Sequence, residues 1–560
     1  MEMNEESILA WNIIEKTNAN LFLTGKAGTG KTTFLKRLKE LSPKRMIVLA
    51  PTGIAAINAG GMTIHSFFQL PFSPYVPGTT FGSGEQKRYQ FSKLKRNIIR
   101  SIDLLVIDEI SMVRSDLLDA VDSVLRQYRK RHDLPFGGVQ LLMIGDLQQL
   151  APVVTPQEEH LLGQHYDTPF FFSSNALKQV GYLTIELKKV YRQQDEQFIS
   201  LLNQIRENKA SEATLQALNQ RYIPNFVPPK EGNYIRLTTH NAPAQYINEQ
   251  QLAALPAQSF SFTADIEGDF PETSYPADFK LTLKPGAQVM FIKNDSGHKY
   301  YNGKIGHVVD IDAEKITVKC PGDTEVIKVE QDEWENTKYV INPEKKTIEP
   351  QVAGTFKQYP LRLAWAITIH KSQGLTFEHA IIDAGFSFAS GQVYVALSRC
   401  KTLEGMVLAS RIGSSSIFND SRVTEYISHQ QQMAEESVRQ LPSLKDAYFK
   451  ELLLDMFSFN RLFGAEQMLN RTMVEFFRTL PRLSDYHRTV LEKVKAKVMD
   501  VAYKWLNVIR QTSCEDLHGE AFLQRVRRSA DYFAATLKEL VPDLLEKTKM
   551  ANGKGKQAME

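Results

Sequence analysis

Between residue 20 and about residue 190, short apolar runs alternate with helical patterning. LFLTG, MIVLAPT, DLLVIDE, LLMIGD and LTIEL are brief and bounded by turn residues, so they read as buried strands of a parallel sheet. Parallel strands need crossovers, and Leu117, Val121, Leu125 and Tyr128 recur at helical spacing after the third run. A doubly wound α/β domain over residues 1–190 is therefore predicted. A Pro/Gly-rich stretch, PFSPYVPGTTFGSG, and the basic segment up to Arg100 mark a small insert at about 66–100.

A second α/β pattern covers about 191–425 and includes YIRLTTHN, LRLAWAITIH and HAIIDAG. Between them, over about 250–358, AQVMFIKND, GKIGHVVDID and KITVKC look like strands of a small barrel. After Glu425 strand signals vanish. Val494, Val498, Val501, Trp505 and Val508 fall at helical spacing and predict an all-α domain over 426–547. Residues 548–560 read as a disordered tail.

Composition changes this picture little. A chain of 560 residues exceeds one core, and 42 % hydrophobic with 23 % charged residues is ordinary for a globular enzyme. No run of about 18 apolar residues occurs, so no membrane span is expected. The start, MEMNEESILAW, lacks the pattern of a secretory signal, and three scattered cysteines exclude a zinc ribbon and fit the cytoplasm. Net charge is only +3, so any nucleic-acid binding must come from local patches.

The chemistry sits at the strand ends. Gly25-Lys26-Ala27-Gly28-Thr29-Gly30-Lys31-Thr32 fits GxxxxGK(S/T), follows the strand LFLT and opens the helical stretch TTFLKRLKEL, which also contains Thr33. Glycines let backbone amides wrap phosphates, Lys31 reaches the β- and γ-phosphates of ATP, and the Thr32 hydroxyl ligates Mg2+. Asp108-Glu109 ends LLVID; Asp108 would hold the magnesium ion and Glu109 polarise the attacking water. Gln149 follows LLMI, as a γ-phosphate reporter or as part of a polar turn. Arg192 and Arg399 follow segments of the second domain, as transition-state arginines or as surface ion pairs.

The ordered set GKAGTGKT, APTGIAA, GGMTIHSFF, VIDEISMV, GDLQQLAPV, VYRQ, AITIHKSQGLT and VYVALSR resembles the superfamily-one B DNA helicases, over about residues 20–410. Within these it looks most like the Pif-type branch, because Asp116–Gln140, with Pro135-Phe136-Gly137-Gly138, resembles that branch's signature. The resemblance implies two RecA-like domains, a wedge insert within 66–100 and a barrel-like insert at 250–358. It also implies ATP-dependent, 5′-to-3′ unwinding of DNA, with single-stranded and forked or structured DNA as partners. Asn4–Trp11 lacks the glutamine that related helicases place upstream of the phosphate loop.

A strand needs phosphate contacts and flat surfaces for bases. Candidates on loops after core strands are Thr52, Gly53, Thr63, His65 and Phe67 in the first domain. In the second they are His240, Asn241, Thr368, His370, Lys371 and Ser372. Phe68 reads as core. The basic stretch Lys87, Arg88, Lys93, Lys95, Arg96 and Arg100, interleaved with Tyr89 and Phe91, is either a strand contact or a solvated face. From Leu441 onward 20 Lys+Arg stand against 16 Asp+Glu, too balanced for a dedicated DNA arm, so a docked protein partner is equally open. A monomer is expected. Three rivals remain: a RecD-like motor, a P-loop phosphotransferase that never touches DNA, and a degenerate binding protein. The second leaves HKSQG unexplained, and intact Lys31, Asp108 and Glu109 oppose the third.

Overall fold

Each of the five apolar runs becomes a strand whose side chains are almost all buried, and together they build one parallel sheet. The strands are β1 (Leu21–Gly25), β2 (Met46–Ala50), the short β3 (Met62–Thr63), β4 (Leu104–Ile107), β5 (Gln140–Gly145) and β6 (Leu183–Leu187). Their order is β3-β2-β4-β5-β1-β6. β4, β5 and β1 are neighbours, so the loops that follow them leave one sheet edge together. The coordinates are a computed structural model. It describes residues 4–77, 91–190, 195–229, 232–295, 297, 299–312, 315–342, 344, 348–383, 391–417, 420–477 and 481–549.

The crossover helix Ser115–Arg129 shows what the Asp116–Gln140 signature does. Asp116, Asp119 and Asp122 repeat every three residues and line one buried face. Asp116 accepts from Tyr75 N at 2.8 Å and pairs with Arg114 at 2.8 Å. Asp119 accepts from the amides of Asn175 and Ala176, capping the helix Asn175–Val180. Asp122 accepts from Phe136 N and pairs with Arg126 at 2.8 Å. One turn on, Arg129 Nε donates to Gly137 O at 2.8 Å, while its Nη1 donates to the carbonyls of Ile99, Arg100 and Ile102 at 2.9–3.0 Å. Those three carbonyls lie at the end of the helix Lys93–Ser101, within the first insert. Phe136 holds φ 53° and is buried in the core, and at Gly137 (φ 58°) a Cβ would lie 2.8 Å from Leu125 O. The signature is scaffolding.

The second core is a parallel sheet too. β7 (Ile235–Thr238) precedes the second insert, which follows the helix Asn241–Ala254. The insert contains β8 (Phe260–Thr263), β9 (Asp265–Gly268), β10 (Lys280–Leu283), β11 (Gln288–Phe291) and β12 (Ile305–Ile311). It continues with β13 (Ile316–Lys319), β14 (Ile327–Val329), β15 (Asp332–Ile341), β16 (Ile348–Gln358) and β17 (Leu361–Leu363). β18 (Ala366–Thr368), β19 (Ala380–Ile382) and β20 (Met406–Leu408) complete the core in the order β18-β7-β19-β20. The run LRLAWAITIH, read as one strand, is two. Leu361–Leu363 pairs antiparallel with β11, and Ala366–Thr368 pairs parallel with β7. Continuous hydrophobicity cannot tell which sheet buries it.

The insert consists of a five-stranded sheet in the order β14-β13-β12-β11-β17, a three-stranded sheet β15-β16-β9, and the pair β10-β8. The long hairpin β15–β16 carries Tyr339 into the first core. Its hydroxyl accepts from Val48 N at 3.1 Å and donates to Val48 O at 3.4 Å, and its ring packs edge-on against Phe67.

Helix Ser421–Met456 begins on the first core, where Tyr426 stacks on Phe172 at 4.2 Å and its hydroxyl meets that of Tyr182 at 2.6 Å. Compact packing divides between Val438 and Arg439, inside this helix and later than residue 425. The second unit is helical: Asn460–Phe476, Pro481–Val494, Asp500–Gln511 and Glu520–Lys549. Between the middle two, Lys495–Met499 forms a π turn, which inserts a residue and shifts the face. The predicted stripe keeps Val494, Val498 and Trp505 buried, but Ala502 and Ile509 lie deeper than Val501 and Val508. The helix reaches Lys549, so the expected tail shrinks to residues 550–560, outside the described ones. Among the described residues no helix is long and apolar enough to cross a membrane.

Arg129→Ala leaves four carbonyls without their donor. The first core is expected to lose about 2–4 kcal/mol against urea, on the scale of charged hydrogen bonds left unmade. Unfolding followed by circular dichroism checks it, and an unchanged midpoint refutes the scaffolding role.

Candidate active site

Gly25, Gly28 and Gly30 adopt φ of 153°, 80° and 91°, and at Gly25 a Cβ would lie 2.7 Å from Leu187 O. This tight loop delivers the chain into the helix Lys31–Leu41, whose first-turn amides have no partners within the helix. Ala27 and Thr29 lie in the loop, and Thr32 and Thr33 in the first turn of that helix. The Lys31 ammonium donates to Gly25 O at 2.6 Å and Lys26 O at 3.1 Å. Burial lowers its pKa, while Asp146, Glu109 and Asp108 oppose that shift.

Asp108 and Glu109 leave β4 beside it. Glu109 is held at φ 51°, a strained conformation for a side-chain-bearing residue, and its amide donates to Asp108 Oδ1 at 2.9 Å. Burial, then the Asp108 charge, pushes the Glu109 carboxyl up to about 7, against Lys31 and Arg399. Burial also raises Asp108. After β5, Asp146 behaves oppositely: burial would raise it, but the charges of Arg206 and Lys31 prevail and hold it low. Gln149 donates to Asp146 Oδ2 at 3.1 Å.

The second core meets these loops directly. Arg206, from the helix Glu196–Arg206, pairs with Asp146 at 3.1 Å, both buried. Asn203 accepts from Lys26 Nζ at 2.8 Å, and the Tyr394 hydroxyl accepts from Ala27 N at 3.4 Å. Gln373 Nε2 donates to Glu109 Oε2 at 2.8 Å. Gly391 (φ 80°) lies so close to the first core that a Cβ there would sit 1.8 Å from Gln149 O. Arg399 is only 1 % exposed and donates from Nε to Val395 O at 2.9 Å and from Nη1 to Leu375 O at 3.3 Å. It is therefore no surface ion pair; its charge reaches Glu109 from within the second core. Arg192 lies outside the described residues.

The strand candidates divide. Thr52 and Thr63 cap short helices by accepting from Ala55 N and Ser66 N, and Gly53 adjoins the first. His65 stacks on Phe72 at 4.6 Å, and burial, then Arg114, lowers its pKa. His240 and Asn241 are exposed, and His370 is lowered by burial and then by His240, which places the two imidazoles near one another. Lys371 is exposed. Three expectations fail on burial. Phe67 is 0 % exposed, in the core beneath Lys95 and Tyr339. Ser372 is 0 % exposed and donates to Ile369 O, while buried Thr368 accepts from Lys371 N. These hydroxyls shape the turn that presents His370 and Lys371. Of the basic stretch, Lys87, Arg88 and Tyr89 lie outside the described residues, and Lys95 is turned inward over the Phe67 ring at 3.3 Å.

A model of the PIF1-like helicase family matches residues 4–216, and one of the DNA helicase middle domain matches residues 440–559. The human ATP-dependent DNA helicase PIF1 is 36% identical over 423 residues, 72% of this chain and 60% of its own length. ATP-dependent DNA helicase Pif1 of Bdellovibrio bacteriovorus is 32% identical over 415 residues, 73% of this chain and 88% of its own length. The chain belongs to the PIF1-like helicase family. A crystal structure of Bacteroides sp Pif1 in complex with ADP-AlF4 shares 42% identity at a TM-score of 0.71, covering 77% of this chain and 98% of that one. The chain spans only about 60% of the human PIF1 relative. Against this PIF1-like background, five groups on the cleft went unpredicted: Asp146, Asn203, Arg206, Gln373 and Tyr394. Gln373 lies inside the HKSQG motif and Tyr394 inside VYVALSR, so their motifs carried the signal; Arg206 had none.

Two outcomes follow from this geometry. If Glu109 is the base it must be ionised, and turnover should then rise about tenfold per pH unit below pH 7 and level off above it, as its carboxyl loses the proton. A pH–rate profile flat from 6 to 8 at saturating ATP contradicts this. Gly391→Ala should cut turnover at least about tenfold, since the added methyl keeps the cores from seating, while fluorescent-nucleotide affinity changes little. Unchanged turnover would show that the close approach at Gln149 is dispensable.

Proposed function

We propose that this chain is a monomeric ATP-driven motor that moves 5′ to 3′ on single-stranded DNA and unwinds forked or structured DNA in genome maintenance. The observation that carries this reading is the pair of bonds across the cleft, Arg206 to Asp146 and Gln373 to Glu109. Through them, groups of the second core hold two of the three carboxylates beside the phosphate loop. Hydrolysis then depends on how the cores are seated.

Lys31 would bind the β- and γ-phosphates, and Glu109 would orient and deprotonate the attacking water. Magnesium takes one or two protein oxygens and fills its shell with phosphate and water. Asp108, and Thr32 at the helix start, suit such a donor set, and the ion would neutralise phosphate charge there. Gln373 couples this chemistry to the strand. It stands two residues beyond Lys371, so a strand held at His370 and Lys371 bears on the hydrogen bond to Glu109. By linkage, nucleotide must alter strand affinity in return.

DNA as partner is supported by a Bacteroides Pif1 structure bound to ssDNA, 42% identical, with a TM-score of 0.56 and covering 77% of this chain. Polarity rests on the resemblance to superfamily-one B helicases. The helical unit after Val438 would serve substrate choice or partner docking, since Lys31, Asp108, Glu109, Asp146, Arg206 and Gln373 all precede it.

The test compares two forked duplexes, one with a 5′ single-stranded tail and one with a 3′ tail, with ATP consumption followed in parallel. Unwinding of the 5′-tailed fork alone and at least about tenfold stimulation of hydrolysis by single strand are expected. Equal unwinding of both forks overturns the polarity. Hydrolysis indifferent to saturating single strand overturns the coupling.

A further inference from the structure

A separate cleft of about 470 Å³ joins three parts of the first unit. Thr52 and Gly53 line it from the first core, Lys371 from the second, and Arg362 and the loop Ser274–Phe279 from the insert. Aromatic rings climb out of the insert's own core into this space. Phe356, fully buried, lies 4.9 Å from Tyr275, and Tyr275 lies 6.0 Å from Phe279 with ring planes only 19° apart. Phe279 ends the series and is 46% exposed.

A single exposed phenylalanine needs no explanation. This one has two cations for neighbours. Arg362, on β17, donates from Nη2 to Pro276 O at 3.1 Å, which fixes it against the loop. Lys371 is near enough that Arg362 depresses its pKa, second to burial, with Asp278 opposing. Like charges held together are unfavourable unless an anion joins them. A flat ring backed by a second ring, beside two cations, is the chemistry that recognises one nucleotide of an unstacked strand.

We infer that Phe279, supported by Tyr275, is a stacking platform for one base of single-stranded DNA, and that Arg362 and Lys371 receive the neighbouring phosphates. The insert loop thereby becomes a third wall of the strand track. This rests on the strand reading proposed above and extends it to Phe279, Tyr275 and Arg362, which the sequence motifs do not contain. The 6.0 Å ring spacing leaves no room for a base between the rings, so the base takes the outer face of Phe279.

The experiment measures anisotropy of labelled oligothymidylate and of an all-abasic strand of equal length, with the full-length protein. The wild type should prefer the strand that has bases. Phe279→Ala should weaken oligothymidylate about 5- to 100-fold, the range expected for loss of one base–aromatic stack, and leave abasic binding unchanged. Phe279→Tyr should restore the preference. Arg362→Gln should weaken both strands alike and lower the salt slope by about one. Matched circular dichroism and melting curves establish that the variants fold. Equal effects of Phe279→Ala on both strands, or none, overturn the platform while leaving the motor reading intact. Failure of the wild type to bind either strand overturns both.

Discussion

Burying Lys31 of the phosphate-loop motif is the constraint on which the rest of the structure depends. Taken from water, an ammonium is costly unless opposite charges surround it. Here Asp108, Glu109 and Asp146 converge on Lys31 from the ends of β4 and β5, because the strand order sets those ends beside β1. Three carboxylates around one lysine would in turn be over-charged. Arg206 and Arg399 of the second core supply the balance, one by direct contact with Asp146 and one through its field at Glu109. The cleft is nearly neutral only when both cores contribute. Electrostatics thus requires the two-domain architecture that the chemistry uses.

The residues differ in how visible this was from the chain alone. Five of the six strands of the first sheet were legible because strands buried on both faces leave unbroken apolar runs, whereas the two-residue β3 leaves none, and the phosphate loop was legible because its spacing is local. The pairings across the cleft were not. Arg206 lies 60 residues from Asp146, and Gln373 lies 264 from Glu109. No local pattern distinguishes those side chains from their neighbours. Phe67 failed for another reason: in a helix of five residues periodicity cannot separate the face toward a strand from the face toward the core. The π turn at Lys495–Met499 shifted a correctly recognised stripe by one position.

The Asp116–Gln140 segment carried the resemblance to Pif-type helicases, yet none of its residues touches the phosphate loop in the bonds described. Its three buried aspartates and Arg129 instead satisfy backbone amides and carbonyls that would otherwise lack these partners. A family signature of this kind records how an insert is anchored to its core. The GxxxxGK(S/T) spacing is general to phosphate loops, so it points to the chemistry and leaves the branch undetermined.

Tyr339 has a consequence for the making of the protein. Its hydroxyl satisfies the peptide groups of Val48, 291 positions earlier in the chain. During synthesis the last strand of the first sheet, ending at Leu187, emerges long before the hairpin does. At ~5–20 residues per second, about ten to thirty seconds pass before residue 339 follows. Over that interval Val48 lacks its partner, since β3 pairs only with Leu49 and Ala50 of β2, and unpaired strand groups invite pairing with other chains. The nascent first core must therefore be shielded or slow to associate until an element from the far side of the second core closes it.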